Sequence, residues 1–158
     1  MPIAAVVVFK DWTGLKQLAA VTVAATIASH GPKRLLNDVT VRGTRLGQRP
    51  SSPDSEQNMP SGHATLASAG AYFMIRRYSL WLALILIPVT LLTMYARVML
   101  DAHTISAVLS GALTGIIVTA LFATKSRYMK DTSLRMVISN LSIWSELRRQ
   151  PQSGRKSA

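Results

Sequence analysis

The sequence predicts an all-α fold, a polytopic membrane bundle of about four to five helices. Hydrophobic residues make up 49% of the 158-residue chain, and its mean hydropathy is +0.25. The chain nevertheless carries a formal net charge of +11. Its charges cluster between long uncharged blocks, which is typical of membrane proteins. We therefore expect a membrane-embedded helical domain over residues 1–130.

Two uncharged segments are long enough to span a bilayer. Residues 79–95 contain no charged side chain, and residues 104–124 form a run of 21 uncharged residues. As a helix, the second run is about 30 Å long, which matches the hydrocarbon core of a membrane. Within it, Gly111 and Gly115 form a GxxxG pattern. This pattern predicts close packing against a neighbouring helix.

Two shorter segments flank these spans. Residues 15–29 are marginal in length, and residues 63–75 suffice for a crossing if other helices shield them. If the chain crosses at all four segments, one group of basic residues shares a face, and the positive-inside rule makes that face cytoplasmic. The loop over residues 30–62 then lies on the outer face; it is also basic, which weakens the rule unless its cations have another role. The basic group consists of Lys10, Lys16, Arg76, Arg77, Lys125, Arg127 and Lys130.

The C-terminal part of the chain has a different pattern. Residues 131–150 place apolar side chains at helical spacing, which predicts an amphipathic helix on the inner leaflet. Residues 151–158 are expected to form a disordered tail. The Lys and Arg residues lie in short loops and in this tail, without an aromatic-interleaved basic stripe, so no nucleic-acid partner is expected. The chain has no cysteine, which excludes disulfides and thiolate metal sites.

Polar residues suited to chemistry lie at the outer ends of the predicted helices. Arginine and histidine near a bilayer are costly unless paired or solvated, so such residues are functional candidates. Guanidinium groups bind the oxygens of a phosphate ester, and the free N–H groups of a helix start suit an anion. Two histidines can divide a displacement, since one attacks phosphorus while the other protonates the leaving oxygen. In chain order these residues are Arg42, Arg49, Ser61, Gly62, His63, Arg97 and His103.

These residues, in this order, resemble the signature of the type 2 phosphatidic acid phosphatase family of membrane lipid phosphatases. That signature runs Lys-x6-Arg-Pro, then Pro-Ser-Gly-His, then Ser-Arg-x5-His-x3-Asp. Residues 60–63 match the middle motif completely, and Arg49-Pro50 and Arg97-x5-His103 have the family's spacing. The resemblance implies a helical-bundle phosphatase with its site at the outer face.

The resemblance also implies a role for each matching residue. His103 would be the nucleophile and pass through a phosphohistidine, while His63 would be the general acid. The phosphate would be held by Arg42, Arg49, Ser61, Gly62 and Arg97. No metal or other cofactor is expected.

Several departures from the signature bear on activity. Arg42 stands at the family's lysine position, and Lys33 is an alternative for that role. Ala96 replaces the motif serine, and Ala107 replaces the aspartate that would orient the nucleophile. Removing the orienting carboxylate of a serine-protease triad costs about four orders of magnitude in rate. Ser106 lies on the appropriate helix face but is a poor substitute. The family commonly has more membrane helices, so we expect an N-terminally truncated member.

Two functions follow from these observations. The first is a membrane phosphatase acting on a lipid phosphate or pyrophosphate, with undecaprenyl pyrophosphate, lipid A, phosphatidic acid and phosphatidylglycerol phosphate as candidates. Such an enzyme would lie in the bacterial inner membrane, with its site facing the periplasm or outside and its C-terminal tail in the cytoplasm. The alternative, supported by Ala107 and the short N-terminus, is a catalytically impaired family member that binds anionic lipid or a partner membrane protein. The sequence leaves the oligomeric state undetermined.

Overall fold

The computed structural model describes residues 2–52 and 54–125. Over these ranges the chain forms five α-helices, and a short antiparallel hairpin and a 3₁₀ turn lie between them. The expected all-α bundle of four to five helices is confirmed. The amphipathic helix expected at 131–150 and the tail expected at 151–158 lie outside the described residues. The elements are α1 (Pro2–Val8), α2 (Trp12–Leu36), β1 (Thr40–Val41), β2 (Thr44–Arg45), α3 (Gly62–Arg77), the 3₁₀ turn (Leu80–Leu82), α4 (Ala83–Met99) and α5 (Ile105–Phe122).

Two helical segments, Leu80–Met99 and Ile105–Phe122, are long and apolar enough to cross a membrane. Their positions agree with the spans expected from the sequence. Leu84, Ile85 and Leu92 of α4 are each about two-thirds exposed on the surface of the bundle. A continuous apolar surface of this kind is unfavourable in water and suits contact with lipid. The architecture is therefore that of a membrane-embedded helical bundle.

Helices α3 and α5 run parallel to one another and approach very closely. A Cβ atom on Gly111 would collide with the backbone of Ser61, and one on Gly115 would collide with the backbone of Thr65. The hydroxyl of Ser68 also donates a hydrogen bond of 3.0 Å across the pair, to a backbone carbonyl of α5. Small residues let two backbones approach and polar side chains join them, as in other membrane helix pairs. The close packing predicted from the GxxxG pattern is confirmed.

Helix α2 extends further than the sequence predicts. It has 25 residues and continues through Gly31 and Pro32, whereas the apolar pattern suggested an end near residue 29. Proline removes a backbone donor, but helices in membrane proteins tolerate this loss. The extension puts Lys33 in the last turns of α2, four residues after Ser29 and on the same face. Lys33 thereby reaches the start of α3.

A buried polar network fixes the other end of the bundle. Arg77 is 2% exposed, and its Nε and Nη2 donate to the two carboxylate oxygens of Asp11 at 2.5 and 2.6 Å. Its Nη1 donates to Gln17 and to the backbone carbonyl of Thr124. Asp11 also accepts from the backbone N–H of Gly14 and so caps α2. The network joins the start of α2 to the ends of α3 and α5, so Arg77 is a paired cation here.

Candidate functional site

Four helix ends meet at the end of the bundle opposite Arg77. They are the C-terminal ends of α2 and α4 and the N-terminal ends of α3 and α5. The backbone N–H of Ser61 donates to the carbonyl of Ala107 at 2.8 Å, which joins the starts of α3 and α5. The backbone N–H of His103 donates to the carbonyl of Arg97 at 3.2 Å, which folds the α4–α5 turn back on α4. The side chains expected to act on phosphate are thus brought to one place, apart from Arg42.

The start of α3 carries the Pro-Ser-Gly-His motif. Ser61 is fully buried, and its hydroxyl accepts from the backbone N–H of Ala64 as the N-cap. Its carbonyl accepts from both the backbone N–H and the hydroxyl of Thr65. Gly62 and His63 occupy the first two positions of the helix, where backbone N–H groups have no partner within the helix. Ser61 therefore shapes the helix start, and Gly62 and His63 present its N–H groups.

His103 lies in the turn between α4 and α5 and is 4% exposed. Its Nδ1 is 2.9 Å from the backbone oxygen of Asn58 and 3.3 Å from the side-chain Oδ1 of the same residue. Two acceptors at one ring nitrogen require that nitrogen to carry the proton, so the lone pair of the neutral ring is on Nε2. Burial lowers the pKa of His103 to about 4, and the nearby positive charges of Arg49 and Lys33 act in the same direction. His103 is therefore neutral at physiological pH and has the protonation state of a nucleophile.

Positive side chains surround the two histidines. Lys33, Arg49 and Arg97 are all close enough to His63 to interact with it electrostatically, and His63 in turn interacts with His103. The Nζ of Lys33 would be 3.9 Å from a Cβ placed on Gly62, which locates it beside the start of α3. These charges converge on the helix end that exposes free N–H groups. Such an arrangement attracts an anion.

Arg49 has an unusual environment. Its Nη2 donates to the backbone carbonyl of Gln57 at 3.3 Å. Its Nε is buried and, among the described residues, has no hydrogen-bond partner. A buried unpaired guanidinium N–H is unfavourable in the protein alone. A phosphate oxygen would satisfy it, since Arg binds phosphate through parallel N–H groups.

Arg42 is not brought to this site. It is exposed, has a backbone φ of 53° and lies in the turn that joins β1 to β2. Lys33, the alternative for the first-motif cation, occupies the site instead. The difference arises because α2 continues past Pro32 and carries Lys33 with it.

Ala107 occupies the position of the aspartate in the third motif of the family signature. Ala107 is fully buried; its N–H donates to the hydroxyl of Thr104, the N-cap of α5. Ser106 is exposed, and its hydroxyl pairs with that of Thr104 at 3.1 Å. Asp101 is exposed in the α4–α5 turn, with a backbone φ of 49°. None of these three positions supplies a carboxylate to His103; Asn58, which the sequence analysis did not select, contacts the ring instead.

A cleft of about 660 Å³ opens beside Lys33. Its polar lining comes from the last turns of α2 and from the loop that leads to Asn58. His30 borders the cleft from within α2, where its Nδ1 is close to the hydroxyl of Ser29 and the carbonyl of Thr26. Over residues 2–52 and 54–125, the His, Asp and Glu side chains form no group of three or more that could hold a metal ion. The lining residues are Ile27, His30, Gly31, Lys33, Arg34, Asn37, Glu56 and Gln57.

Comparisons with known proteins agree with the geometry. The family model described as the PAP2 superfamily matches residues 14–130, which include every site residue discussed above. Two similar curated proteins are lipid A 1-phosphatases of Helicobacter pylori. The protein from strain J99 is 45% identical over 72% of this chain and 58% of its own length. The protein from strain 26695 is 42% identical over 75% of this chain and 61% of its own length.

A third similar protein is a lipid A 4'-phosphatase of Helicobacter pylori strain J99, 36% identical over 66% of this chain and 53% of its own length. The chain thus spans between half and two-thirds of the length of the curated relatives it matches. No solved structure gives a significant match.

Proposed function

Since this chain belongs to the PAP2 superfamily, we propose that it hydrolyses the phosphate or pyrophosphate of a membrane lipid, with His103 as nucleophile. The observation that carries this proposal is the state of His103. The ring is buried and neutral, and both acceptors of Asn58 face its Nδ1, which leaves Nε2 with a lone pair. The ring lies beside His63 and three cationic side chains.

The reaction has two steps. In the first, Nε2 of His103 attacks phosphorus and the bond from phosphorus to the lipid oxygen breaks. His63, which enters this step as the protonated imidazolium, gives its proton to the departing oxygen, so the products are phosphohistidine and the lipid without that phosphate. In the second, water attacks the phosphohistidine, His63 accepts a proton from it, and the phosphorus–nitrogen bond breaks. Inorganic phosphate then leaves, and both histidines are restored.

The residues around the histidines stabilise the negative charge of the phosphoryl group. The transferred phosphoryl group is negative throughout, so fixed positive groups aimed at its oxygens lower the barrier. Lys33, Arg49 and Arg97 supply the charges, and the backbone N–H groups of Gly62 and His63 supply dipoles at the start of α3. Ser61 contributes by capping the helix that carries these groups.

Lipid A is the first candidate among the lipid phosphates. Three curated relatives are named for phosphatase activity on lipid A. The cleft beside Lys33 supports a bulky polar headgroup, since its lining combines cations, amides and a carboxylate. Undecaprenyl pyrophosphate, phosphatidic acid and phosphatidylglycerol phosphate carry the same phosphate chemistry and are the other arms of the test.

We place the site at the outer face of the bacterial inner membrane and the C-terminal end in the cytoplasm. The end opposite the site carries Lys10, Lys16 and Arg76, which favours the cytoplasm by the positive-inside rule. Lys33, Arg49 and Arg97 at the other end surround the catalytic histidines and so have a reason to be basic on an outer face.

The test is phosphate release by the protein purified in detergent, measured on the four lipid phosphates. His63→Ala and His103→Ala should each abolish release, while Arg76→Met is a control, since this exposed side chain contacts Tyr72 at the opposite end of the bundle. Helical content measured for each variant checks that the fold is intact. Release that survives in His103→Ala would rule out this residue as the nucleophile.

A second function is favoured by Ala107. If the wild type releases no phosphate but binds vesicles containing lipid A, the chain is an anionic-lipid-binding family member with an impaired site. Turnover that appears only after Ala107→Asp would identify the missing carboxylate as the cause. The absence of both turnover and vesicle binding would contradict both functions.

A further inference from the structure

We propose that Asn58 is the positioning residue for His103, in the role that the family signature gives to the aspartate replaced here by Ala107. The inference rests on the proposed function, because the orientation of His103 matters for its attack on phosphorus. It goes beyond that function in assigning a new residue outside the three motifs.

The contact geometry defines what Asn58 does to the ring. Its backbone oxygen and its Oδ1 are 2.9 and 3.3 Å from the same ring nitrogen of His103. Both atoms are acceptors, so the lone pair of an unprotonated Nδ1 would be repelled by two oxygens. The contact therefore selects the tautomer with hydrogen on Nδ1. An orienting carboxylate has the same role towards a catalytic histidine.

The side chain of Asn58 also fixes the position of its own carbonyl. Its Oδ1 accepts from the backbone N–H of Thr104, and its Nδ2 donates to the hydroxyl of Thr104, both at 3.1 Å. Thr104 follows His103 directly and caps α5. Asn58 is 3% exposed, and both ends of its amide are hydrogen-bonded. The loop that bears the acceptor and the helix that bears the imidazole are thus joined as one unit.

An amide at position 58 affects the charge of the site differently from a carboxylate. Lys33, Arg49 and His63 all interact electrostatically with His103. A carboxylate among them would cancel part of the positive field that binds phosphate. Asn58 orients the imidazole and leaves that charge intact, which suits a site whose nucleophile works as a neutral ring.

The first experiment measures the tautomer directly and needs no turnover. The full chain, labelled with ¹⁵N at histidine, is studied in detergent by NMR, and its three histidines are assigned with single His→Gln variants. We expect wild-type His103 to carry its proton on Nδ1. Asn58→Leu, which keeps the size but removes the amide, should shift His103 towards a mixture of tautomers, while Asn58→Asp should preserve the Nδ1–H form. His30 signals that stay in place in every variant establish that the fold is unchanged.

Two results would overturn the proposal. One is a wild-type His103 with its proton on Nε2, a result that does not depend on any variant folding. The other is an Asn58→Leu protein whose His103 signals match those of the wild type.

The second experiment asks whether the orientation matters for the reaction. In Asn58→Leu, kcat should fall at least about 10- to 100-fold, the range for hydrogen-bonding partners that orient a metal-bound ligand, with little change in KM. Asn58→Asp should restore much of the rate, and Asp54→Ala, an exposed change in the same loop, is the matched control. Equal loss of kcat in Asn58→Leu and Asn58→Asp would contradict a positioning role. A wild type without turnover would contradict the proposed function, while the nitrogen shifts would still decide the contact.

Discussion

Arg77 of α3 and Asp11 at the start of α2 form a two-point ion pair at the end of the bundle away from the histidines. Their contacts measure 2.5 and 2.6 Å, and Arg77 is almost completely buried. The hydrogen bonds from Arg77 hold the pKa of Asp11 below its ordinary value. The hydroxyl of Tyr78 adds a third contact to the same carboxylate. The pair sets the register of α2 against α3, and hence the position of Lys33 beside Gly62 at the other end.

Removing one partner of this pair should destabilise the bundle strongly. Arg77→Met leaves the carboxylate of Asp11 partly buried without its cation, which costs about 3–5 kcal/mol for a buried pair. Arg76→Met is the matched control, because the neighbouring arginine is exposed and contacts Tyr72 on its own helix. Unfolding in increasing SDS, followed by circular dichroism, measures both. Equal stability of the two variants would contradict a structural role for the pair.

The close approach of α3 and α5 gives a second prediction. In Gly111→Ala the new Cβ meets the backbone of Ser61, and a rigid backbone cannot yield as a side-chain end can. We expect a loss of about 1–3 kcal/mol, as for other overpacked sites, together with reduced phosphate release, because Ser61 caps the helix start that presents His63. Gly31→Ala is the control, since a Cβ there meets nothing within 4 Å. The same SDS unfolding measurement applies, and a Gly111→Ala protein as stable as Gly31→Ala would contradict the packing argument.

Local patterns predicted much of this fold. The uncharged runs at 79–95 and 104–124 correspond to helices because lipid excludes charge from a span. The GxxxG of Gly111 and Gly115 predicted a close helix pair because only a missing side chain permits that approach. The order and spacing of the three motifs selected His63 and His103, which the structure brings together.

Other features depend on contacts that no local pattern records. The apolar run of α2 weakens near residue 29, but the helix continues and carries Lys33 to the site. Arg42 has the motif spacing, yet the chain turns at β1–β2 and leaves it exposed. Asn58 lies 45 residues from His103 in sequence, so its role follows from tertiary packing.

Replacing each of the two candidate first-motif cations, Lys33 and Arg42, by an uncharged residue should separate their roles. Lys33→Met removes a charge beside Gly62 and His63, and we expect kcat/KM to fall about a hundredfold, as when one transition-state donor is lost. Arg42→Gln changes an exposed turn and should leave kcat/KM nearly unchanged. Phosphate release from the best lipid substrate measures both. A larger loss in Arg42→Gln than in Lys33→Met would return the first-motif role to Arg42.

The neutral state of His103 predicts how the protein responds to acid. Burial disfavours the charged ring, and Arg49, Lys33 and His63 add to this effect, while the carbonyl of Asn58 opposes it; the net result is a pKa of about 4. In the proposed mechanism the neutral ring attacks phosphorus, so the acid limb of kcat/KM that belongs to His103 should lie near pH 4. Because the pKa of His103 is lower in the folded than in the unfolded protein, this residue also makes the free energy of unfolding depend on pH. Its contribution is fully present above about pH 6.5 and is lost as the pH falls towards 4. NMR titration of the His103 ring, assigned with His103→Gln, checks the value; a midpoint near 6.5 would show that burial does not govern the ring. In Asn58→Asp the added carboxylate stabilises the charged ring, so the same midpoint should move to higher pH.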